Sequence, residues 1–252
     1  MKAFRLFVVL SGVLLLSLSF KSFKIENSQN HQQKSVQETK KTQVSTLLNG
    51  VKNYIKGVDN GFAQIPEERK KQLKKIALYI QTKNSTGDTT KLLFICTHNS
   101  RRSHMGQIWA QTAAYHYNVK HVICFSGGTE TTAFNPRAVK ALTKAGFDIK
   151  QTDQSSNPVY LVTYASGENQ IKAFSKKYSD DFNPKNNFVA IMTCSVADKT
   201  CPNVEGSALR VAIPYEDPKA ADGTPEEEKI YDERCRQIAT EMFYLFSLIK
   251  AN

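Results

Sequence analysis

The sequence lacks the glycine-rich motifs with which proteins bind nucleotides. It contains no G-x-G-x-x-G, the dinucleotide-binding pattern, and no G-x-x-x-x-G-K-[ST], the P-loop of nucleoside triphosphatases. It also lacks a nucleic-acid-binding motif and any basic stretch interleaved with aromatic residues, although 34 basic and 23 acidic side chains give a net charge of +11. We therefore expect neither a nucleotide-dependent enzyme nor a nucleic-acid-binding protein.

Only five cysteines occur in the 252 residues, and their number and spacing argue against two further classes. An odd number does not suit a complete disulfide framework. Cys194 and Cys201 lack the short spacing of a zinc knuckle, and no histidine lies near them to complete a tetrahedral site. Cys124 and Cys235 fall within a strand and a helix pattern and are predicted to be core residues. The sequence thus predicts no metal site and no bound cofactor.

Long hydrophobic runs are absent except at the N-terminus. Residues 6–20 form an uncharged apolar run that follows Lys2 and Arg5. The run is shorter than an ordinary spanning helix and is typical of the hydrophobic region of a signal peptide, but no clear small-x-small cleavage site follows it. For residues 1–23 we predict a signal peptide or an uncleaved membrane anchor, and hence an exported or membrane-anchored protein. A cytoplasmic protein with an apolar N-terminal helix is the alternative.

Two further segments precede the part of the chain that carries the chemistry. Residues 24–46 are polar, with few large apolar side chains, and are predicted to be a linker. Residues 47–90 show apolar positions at helical spacing and are predicted to be a helical extension. Residues 1–90 carry 15 basic and 6 acidic side chains, so most of the net charge lies there and favours contact with an anionic membrane surface.

Residues 91–252 alternate between strand-like and helix-like patterns. Short apolar runs rich in strand formers occur at residues 91–96, 121–126, 188–194 and 211–213, with a further β-like run at 159–164. A charged insertion at about residues 156–187 interrupts the alternation, and a long amphipathic helix is predicted from a Thr224 cap to about Ile249. The alternation predicts an α/β fold with a doubly wound, parallel four-stranded sheet and a site at the carboxyl ends of its strands.

One loop joins the first of these strands to a helix and combines a cysteine with an arginine six positions later. We expect the backbone N–H groups of residues 97–103 to turn inward and hold an oxyanion at the helix N-terminus. This environment favours the thiolate form of Cys96, and the planar fork of Arg102 can clamp two oxygens of a tetrahedral anion. The predicted oxyanion-binding residues are Thr97, His98, Asn99, Ser100, Arg101 and Ser103. The alternative is a buried structural cysteine beside a surface arginine.

The second group of chemically interesting residues is Cys194 and Cys201, which follow another buried strand. They are therefore expected at the same edge of the sheet as Cys96. Two thiols on one loop can close a disulfide if the loop bends, and a static structural disulfide is the alternative.

The motif C-T-H-N-S-R-R-S directly after a strand resembles the catalytic loop of the low-molecular-weight protein tyrosine phosphatase superfamily. The resemblance implies that Cys96 is the nucleophile, that Arg102 clamps the anion and the transition state, and that Asn99 shapes the loop. It also implies that the Ser103 hydroxyl steadies the thiolate. His98 and Arg101 occupy positions that vary in the family.

Cys96, Cys194 and Cys201 together resemble the three redox cysteines of thioredoxin-coupled arsenate reductases, a branch of the same superfamily. By that analogy Cys96 attacks arsenate, Cys194 attacks the adduct and releases arsenite, and Cys201 closes a disulfide with Cys194 that a thioredoxin-like protein reduces. Asp217, in an Asp-Pro pair, resembles the family's general acid, with Glu216 as a neighbouring alternative.

These resemblances predict an arsenate reductase that uses an external thiol reductant such as thioredoxin. The runner-up function is a phosphatase that hydrolyses phosphotyrosine or aryl phosphates through a phosphocysteine, since the Cys96 loop and Asp217 would serve either reaction. A membrane-tethered oxyanion-binding or redox-sensing module without turnover is a third possibility.

Overall fold

The computed structural model describes residues 46–168 and 170–250. The predicted leader (residues 1–23) and all but the last residue of the predicted linker (24–46) lie outside this part. The helices are α1 Asn49–Ile55, α2 Glu67–Ser85, α3 Arg102–His116, α4 Pro136–Lys144, α5 Ser195–Thr200 and α6 Glu227–Ser247, with 3₁₀ helices at Val58–Gln64 and Pro218–Ala221. The strands are β1 Thr46–Leu47, β2 Thr90–Cys96, β3 Val122–Gly128, β4 Asp148–Gln151, β5 Tyr160–Thr163, β6 Ala165–Ser166, β7 Ile171–Ala173, β8 Phe188–Met192 and β9 Ser207–Ala212.

The central sheet has four parallel strands in the order β3–β2–β8–β9, as the sequence predicts. Every residue of β8 and all but one of β2 are buried, because helices or loops cover both faces of the two inner strands. Cys96 is the last residue of β2, so the predicted catalytic loop leaves the carboxyl edge of an inner strand. Because β2 pairs with β3 on one side and with β8 on the other, the point at which the loop begins is held in place.

Two apolar clusters lie on opposite faces of this sheet. Leu92 and Phe94 of β2 belong to the larger cluster, whereas Leu93 and Ile95 belong to the smaller one, because successive side chains of a strand point to opposite faces. Trp109 of α3 is fully buried in the larger cluster. The smaller cluster contains Cys96 and Cys194, and Cys201 packs against it.

The N-terminal helices share their core with the central sheet. Val51 of α1 and Leu73, Ile76 and Ile80 of α2 are fully buried in the same cluster as Trp109. α1 ends at Ile55 because the chain turns at Gly57, whose φ of 70° is left-handed. Within residues 46–168 and 170–250, no helix combines the length and the apolar character needed to cross a bilayer.

The β-like run at residues 159–164 forms a strand, but in a separate sheet. β5 pairs in antiparallel fashion with β4 and β7, and these three strands form a sheet apart from the parallel one. The connections on either side of β5 contain no α-helix, and short connections without a crossover helix give antiparallel pairs.

The predicted cap of the long C-terminal helix is wrong. α6 begins at Glu227, with Glu226 as the capping residue, and not at Thr224. The Thr224 hydroxyl donates to the carbonyl of Ala221 at 2.8 Å, so it belongs to the turn that ends the preceding 3₁₀ helix.

Candidate active site

The loop between β2 and α3 brings Cys96, Asn99 and Ser103 into one hydrogen-bonded group. Cys96 Sγ lies 3.1 Å from Ser103 Oγ, and Asn99 Nδ2 donates to the same Oγ at 2.9 Å. Because that oxygen accepts from Asn99, its own hydrogen is free to point at the sulfur. The serine hydroxyl can therefore stabilise negative charge on Cys96 Sγ, in the way the sequence resemblance implies.

Asn99 is held at both ends of its side chain. Its backbone φ is 44°, in the left-handed region that asparagine tolerates better than most residues. Its Oδ1 accepts from the backbone N–H of Lys176 at 3.0 Å, while its Nδ2 donates to Ser103. A change of loop conformation would break both hydrogen bonds, so Asn99 can hold the loop in shape, as the sequence resemblance implies.

The outer turn of the loop is braced by a residue that the sequence does not reveal. Ser175 is fully buried, and its Oγ donates to the carbonyl of His98 at 2.9 Å and accepts from the N–H of Thr132 at 2.8 Å. Ser100 Oγ makes a comparable bond to the carbonyl of Ala133 at 2.7 Å. The insertion thus forms part of the loop's support.

Ser175→Ala tests this support. Loss of the hydroxyl removes the partner of the Thr132 N–H and one of two donors to the His98 carbonyl, which also accepts from Thr132 Oγ1 at 3.2 Å, so we expect a cost of about 0.5–1.5 kcal/mol. We expect oxyanion affinity to fall several-fold, as measured by the phosphate concentration that protects Cys96 from alkylation. Ser179→Ala, at an exposed position of the same insertion, is the control and should leave the affinity unchanged. Equal behaviour of the two variants would contradict the bracing role.

Two adjacent arginines share one carboxylate at the edge of the loop. Arg102 Nη2 and Arg101 Nε each lie 2.8 Å from an oxygen of Asp217, and Arg102 Nη1 donates to the carbonyl of Tyr215 at 2.9 Å. Both arginine side chains are about nine-tenths buried. Glu216, the alternative acid, is exposed. The fold therefore brings Asp217, and not its neighbour, to the loop.

Burial and the arginines act in opposite directions on Asp217. Burial raises the pKa of its carboxyl, but the charges of Arg102 and Arg101 more than offset this, and the pKa lies below its ordinary value. Asp217 is consequently ionised at neutral pH in this arrangement. Its Oδ1 also accepts from the N–H of Lys219 at 3.1 Å, which fixes the start of the second 3₁₀ helix.

Cys194 and Cys201 stand at the two ends of α5. Cys194 is buried and caps the helix N-terminus, where its Sγ accepts from the N–H of Ala197 at 3.3 Å. The same Sγ lies 3.4 Å from Oγ1 of Thr97, the residue that follows the predicted nucleophile. Cys201 is half-buried at the other end. All cysteines of the described residues are free thiols.

The remaining predicted residues take less central positions. His98 Nε2 lies 3.2 Å from Glu130 Oε2 at a partly exposed site, where an ion pair contributes little stability. Cys124 and Cys235 are buried as predicted, and burial raises the pKa of Cys235 to about 11 despite the indole N–H that Trp109 donates to its sulfur. Neither thiol is suited to nucleophilic chemistry.

No protein-family model matches the chain. An arsenate reductase of Bacillus licheniformis is 30% identical over 158 residues, which cover 62% of this chain and 94% of that protein. An arsenate reductase of Staphylococcus aureus strain Newman is 31% identical over 153 residues, which cover 60% and 94%.

Two solved structures are also similar. An arsenate reductase in the phosphate-binding state has a TM-score of 0.39 and 16% identity and covers 64% of this chain and 100% of its own. A low-molecular-weight protein tyrosine phosphatase of T. tengcongensis has a TM-score of 0.41 and 16% identity and covers 63% and 99%. Because the sequence match to the curated relatives spans almost their whole length at 30–31% identity, the chain is an enzyme that belongs to the same family as these arsenate reductases.

Proposed function

We propose that this enzyme reduces arsenate to arsenite, with Cys96 as nucleophile and with Cys194 and Cys201 as a thiol relay to a thioredoxin-like reductant. The observation that carries the proposal is the 3.4 Å contact between Cys194 Sγ and Thr97 Oγ1, which places a second buried thiol beside the nucleophile loop. A phosphatase has no use for this thiol, because water resolves a phosphocysteine.

The first step uses the residues of the loop. The Cys96 thiolate attacks arsenic, an S–As bond forms, and an oxygen leaves as water after protonation. Arg102 neutralises charge on the equatorial oxygens, and its Nε, a buried donor without an acceptor among the described residues, gains a partner from a bound oxyanion. Asp217 is the acid for the leaving oxygen, a role that requires it to separate from at least one of its arginines and to take up a proton.

The second step reduces arsenic. The Cys194 thiolate attacks Cys96 Sγ, a disulfide forms, and the two electrons of the S–As bond stay with arsenic, which leaves as arsenite. Cys201 then attacks Cys194 Sγ, which frees Cys96 and moves the disulfide to the ends of α5. A dithiol of the thioredoxin type reduces this disulfide and completes the cycle.

The last exchange requires α5 to unwind. Cys194 and Cys201 are seven positions apart, and a helical rise of about 1.5 Å per residue separates their Cα atoms by about 10 Å. A disulfide needs about 4.4–6.8 Å between its Cα atoms. A helix of six residues, bounded by the two thiols, is short enough to melt at small cost.

A side-by-side assay of the purified protein tests the proposal. One arm supplies arsenate with a thioredoxin system and records arsenite formation, and the other supplies an aryl phosphate and records phosphate release. We expect sustained arsenate turnover that depends on the reductant. Rapid hydrolysis of aryl phosphate with no arsenate reduction would replace the proposal with the phosphatase function.

Separate proposals concern the N-terminus. We propose that the enzyme is exported or membrane-anchored, on the basis of the apolar run in residues 6–20 and the basic residues around it. The reductant would then be a thioredoxin-like protein of that compartment. Cell fractionation checks this, since a full-length, freely soluble cytoplasmic product would contradict it.

A further inference from the structure

Helix α2 contacts the segment that carries the predicted general acid. α2 precedes β2, the strand at which the sequence resemblance to arsenate reductases begins, so its residues have no role assigned by that resemblance. One of its side chains, Arg69, is largely buried and reaches the chain between Pro214 and Asp217, although it lies 145 positions away in sequence.

Arg69 makes three contacts with its guanidinium group. Its Nη2 donates to the carbonyl oxygen of Pro214 at 2.5 Å, and its Cζ lies 5.1 Å from the centre of the Tyr215 ring. Its Nε lies 3.7 Å from Oε2 of Glu241, a carboxylate of α6 whose side chain is only 4% exposed. One side chain of α2 thus connects α6 to the segment before Asp217.

Tyr215 passes this restraint on to the active site. Its hydroxyl donates to Glu241 Oε2 at 2.8 Å, its N–H donates to the carbonyl of Thr193 at 3.0 Å, and its carbonyl accepts from Arg102 Nη1 at 2.9 Å. The ring, the hydroxyl and the backbone of one residue are therefore all fixed. Asp217 lies two positions further along and is held by the same Arg102.

The charge of Arg69 matters as well as its shape. Burial raises the pKa of Glu241, and the charge of Arg69 is the largest influence in the opposite direction. With Arg69 removed, Glu241 would take up a proton more readily and would become a weaker acceptor for the Tyr215 hydroxyl. Loss of Arg69 therefore loosens Tyr215 at the backbone, at the ring and at the hydroxyl.

We propose that Arg69 is a positioning residue for the reaction: it fixes residues 214–217 so that the carbonyl of Tyr215 orients Arg102 and the carboxylate of Asp217 faces the oxyanion loop. The N-terminal helices are then part of the catalytic apparatus. The inference rests on the proposed chemistry at Cys96 and applies to both oxyanion reactions, because each uses Arg102 and Asp217.

The test compares Arg69→Met with Lys71→Met in the full-length protein. Methionine keeps an unbranched apolar stem and removes the guanidinium group. Lys71 lies on the same helix, is exposed, and pairs only loosely with Glu68 at 3.8 Å, so its variant is a matched loss of charge without the proposed contacts. Each protein is examined by amide hydrogen exchange, by turnover, and by the phosphate concentration that protects Cys96 from alkylation.

In Arg69→Met we expect faster amide hydrogen exchange at residues 213–219 and unchanged exchange at residues 97–103. We also expect kcat to fall by about tenfold to a hundredfold, because misplacing a catalytic group by about 1 Å has an effect of this size. The loss of kcat should exceed the loss of phosphate affinity, whereas general destabilisation would affect both equally. Arg69→Lys, which keeps the charge but not the fork, should recover part of kcat. If Arg69→Met does not fold, Arg69→Lys carries the same comparison.

Unchanged exchange at residues 213–219, or a kcat equal to that of Lys71→Met, would overturn the role of Arg69. Failure of the proposed function would look different, because the wild-type protein would then reduce no arsenate, whether or not it hydrolysed an aryl phosphate. In that case the exchange comparison between the two variants would still decide whether Arg69 holds this segment.

Discussion

Cys194→Ser is expected to reduce arsenate turnover with a thioredoxin system to the level of Cys96→Ser. Serine cannot attack the sulfur of Cys96, so the arsenic adduct has no route to arsenite. Serine is also a good helix-capping residue and can accept the Ala197 N–H in place of the sulfur, so α5 should persist. The loss can therefore be assigned to the missing thiol, and any hydrolysis of aryl phosphate should largely survive.

Cys201→Ser separates the two transfers of the relay. It should release one equivalent of arsenite and then stop, with Cys96 joined to Cys194 in a disulfide that mass spectrometry can identify. The control is Ser195→Ala, which changes the residue next to Cys194 and leaves all three thiols in place. This variant should reduce arsenate at the normal rate. Sustained arsenate reduction by Cys194→Ser would remove the relay from the proposal.

Arg102→Lys should lower both arsenate reduction and aryl phosphate hydrolysis by about 10²–10³-fold, the usual cost of one oxyanion-stabilising donor. Lysine keeps the positive charge but presents a point charge in place of a planar fork, so it cannot hold two oxygens and the Tyr215 carbonyl together. Steady-state kinetics with each substrate measures the loss.

Arg101→Lys is the matched control, since it makes the same substitution at the neighbouring arginine. Arg101 was predicted to bind the oxyanion, but in the structure it contacts Asp217 through Nε and Nη2. Its variant should show the smaller loss, through a less restrained Asp217. If the two variants lost the same activity, the special role of Arg102 would be wrong.

The sequence predicts the core of the site because its signals are local. Within residues 91–117 an apolar strand, a polar turn and a helical apolar pattern follow one another, so the position of Cys96 at the end of a strand and of Arg102 at the start of a helix can be derived. Three of the four strands of the parallel sheet are predicted for the same reason, since β2, β3 and β8 coincide with short apolar runs, whereas β9 begins at Ser207, before the run predicted at residues 211–213.

Contacts between distant segments could not be predicted in this way. Ser175 lies 77 positions from the carbonyl that it holds, and Arg69 lies 145 positions from Pro214; neither belongs to a motif. The strand Tyr160–Thr163 was recognisable, but its sheet depends on the connections around it and on partners elsewhere in the insertion. Thr224 has the side chain of a good cap, yet the turn before it takes up its hydroxyl.

In the proposed mechanism, the ion pair between Arg102 and Asp217 makes an oxyanion compete with a carboxylate for one guanidinium group. In this mechanism the oxyanion accepts from the free Nε of Arg102 and also displaces Asp217 from Nη2. The displaced Asp217 loses one of the two charges that lower its pKa, and it then binds a proton more readily. Oxyanion and proton affinities are thereby linked, and each ligand strengthens the binding of the other. In the proposed mechanism, the arrival of the substrate therefore favours protonation of the acid that the reaction needs.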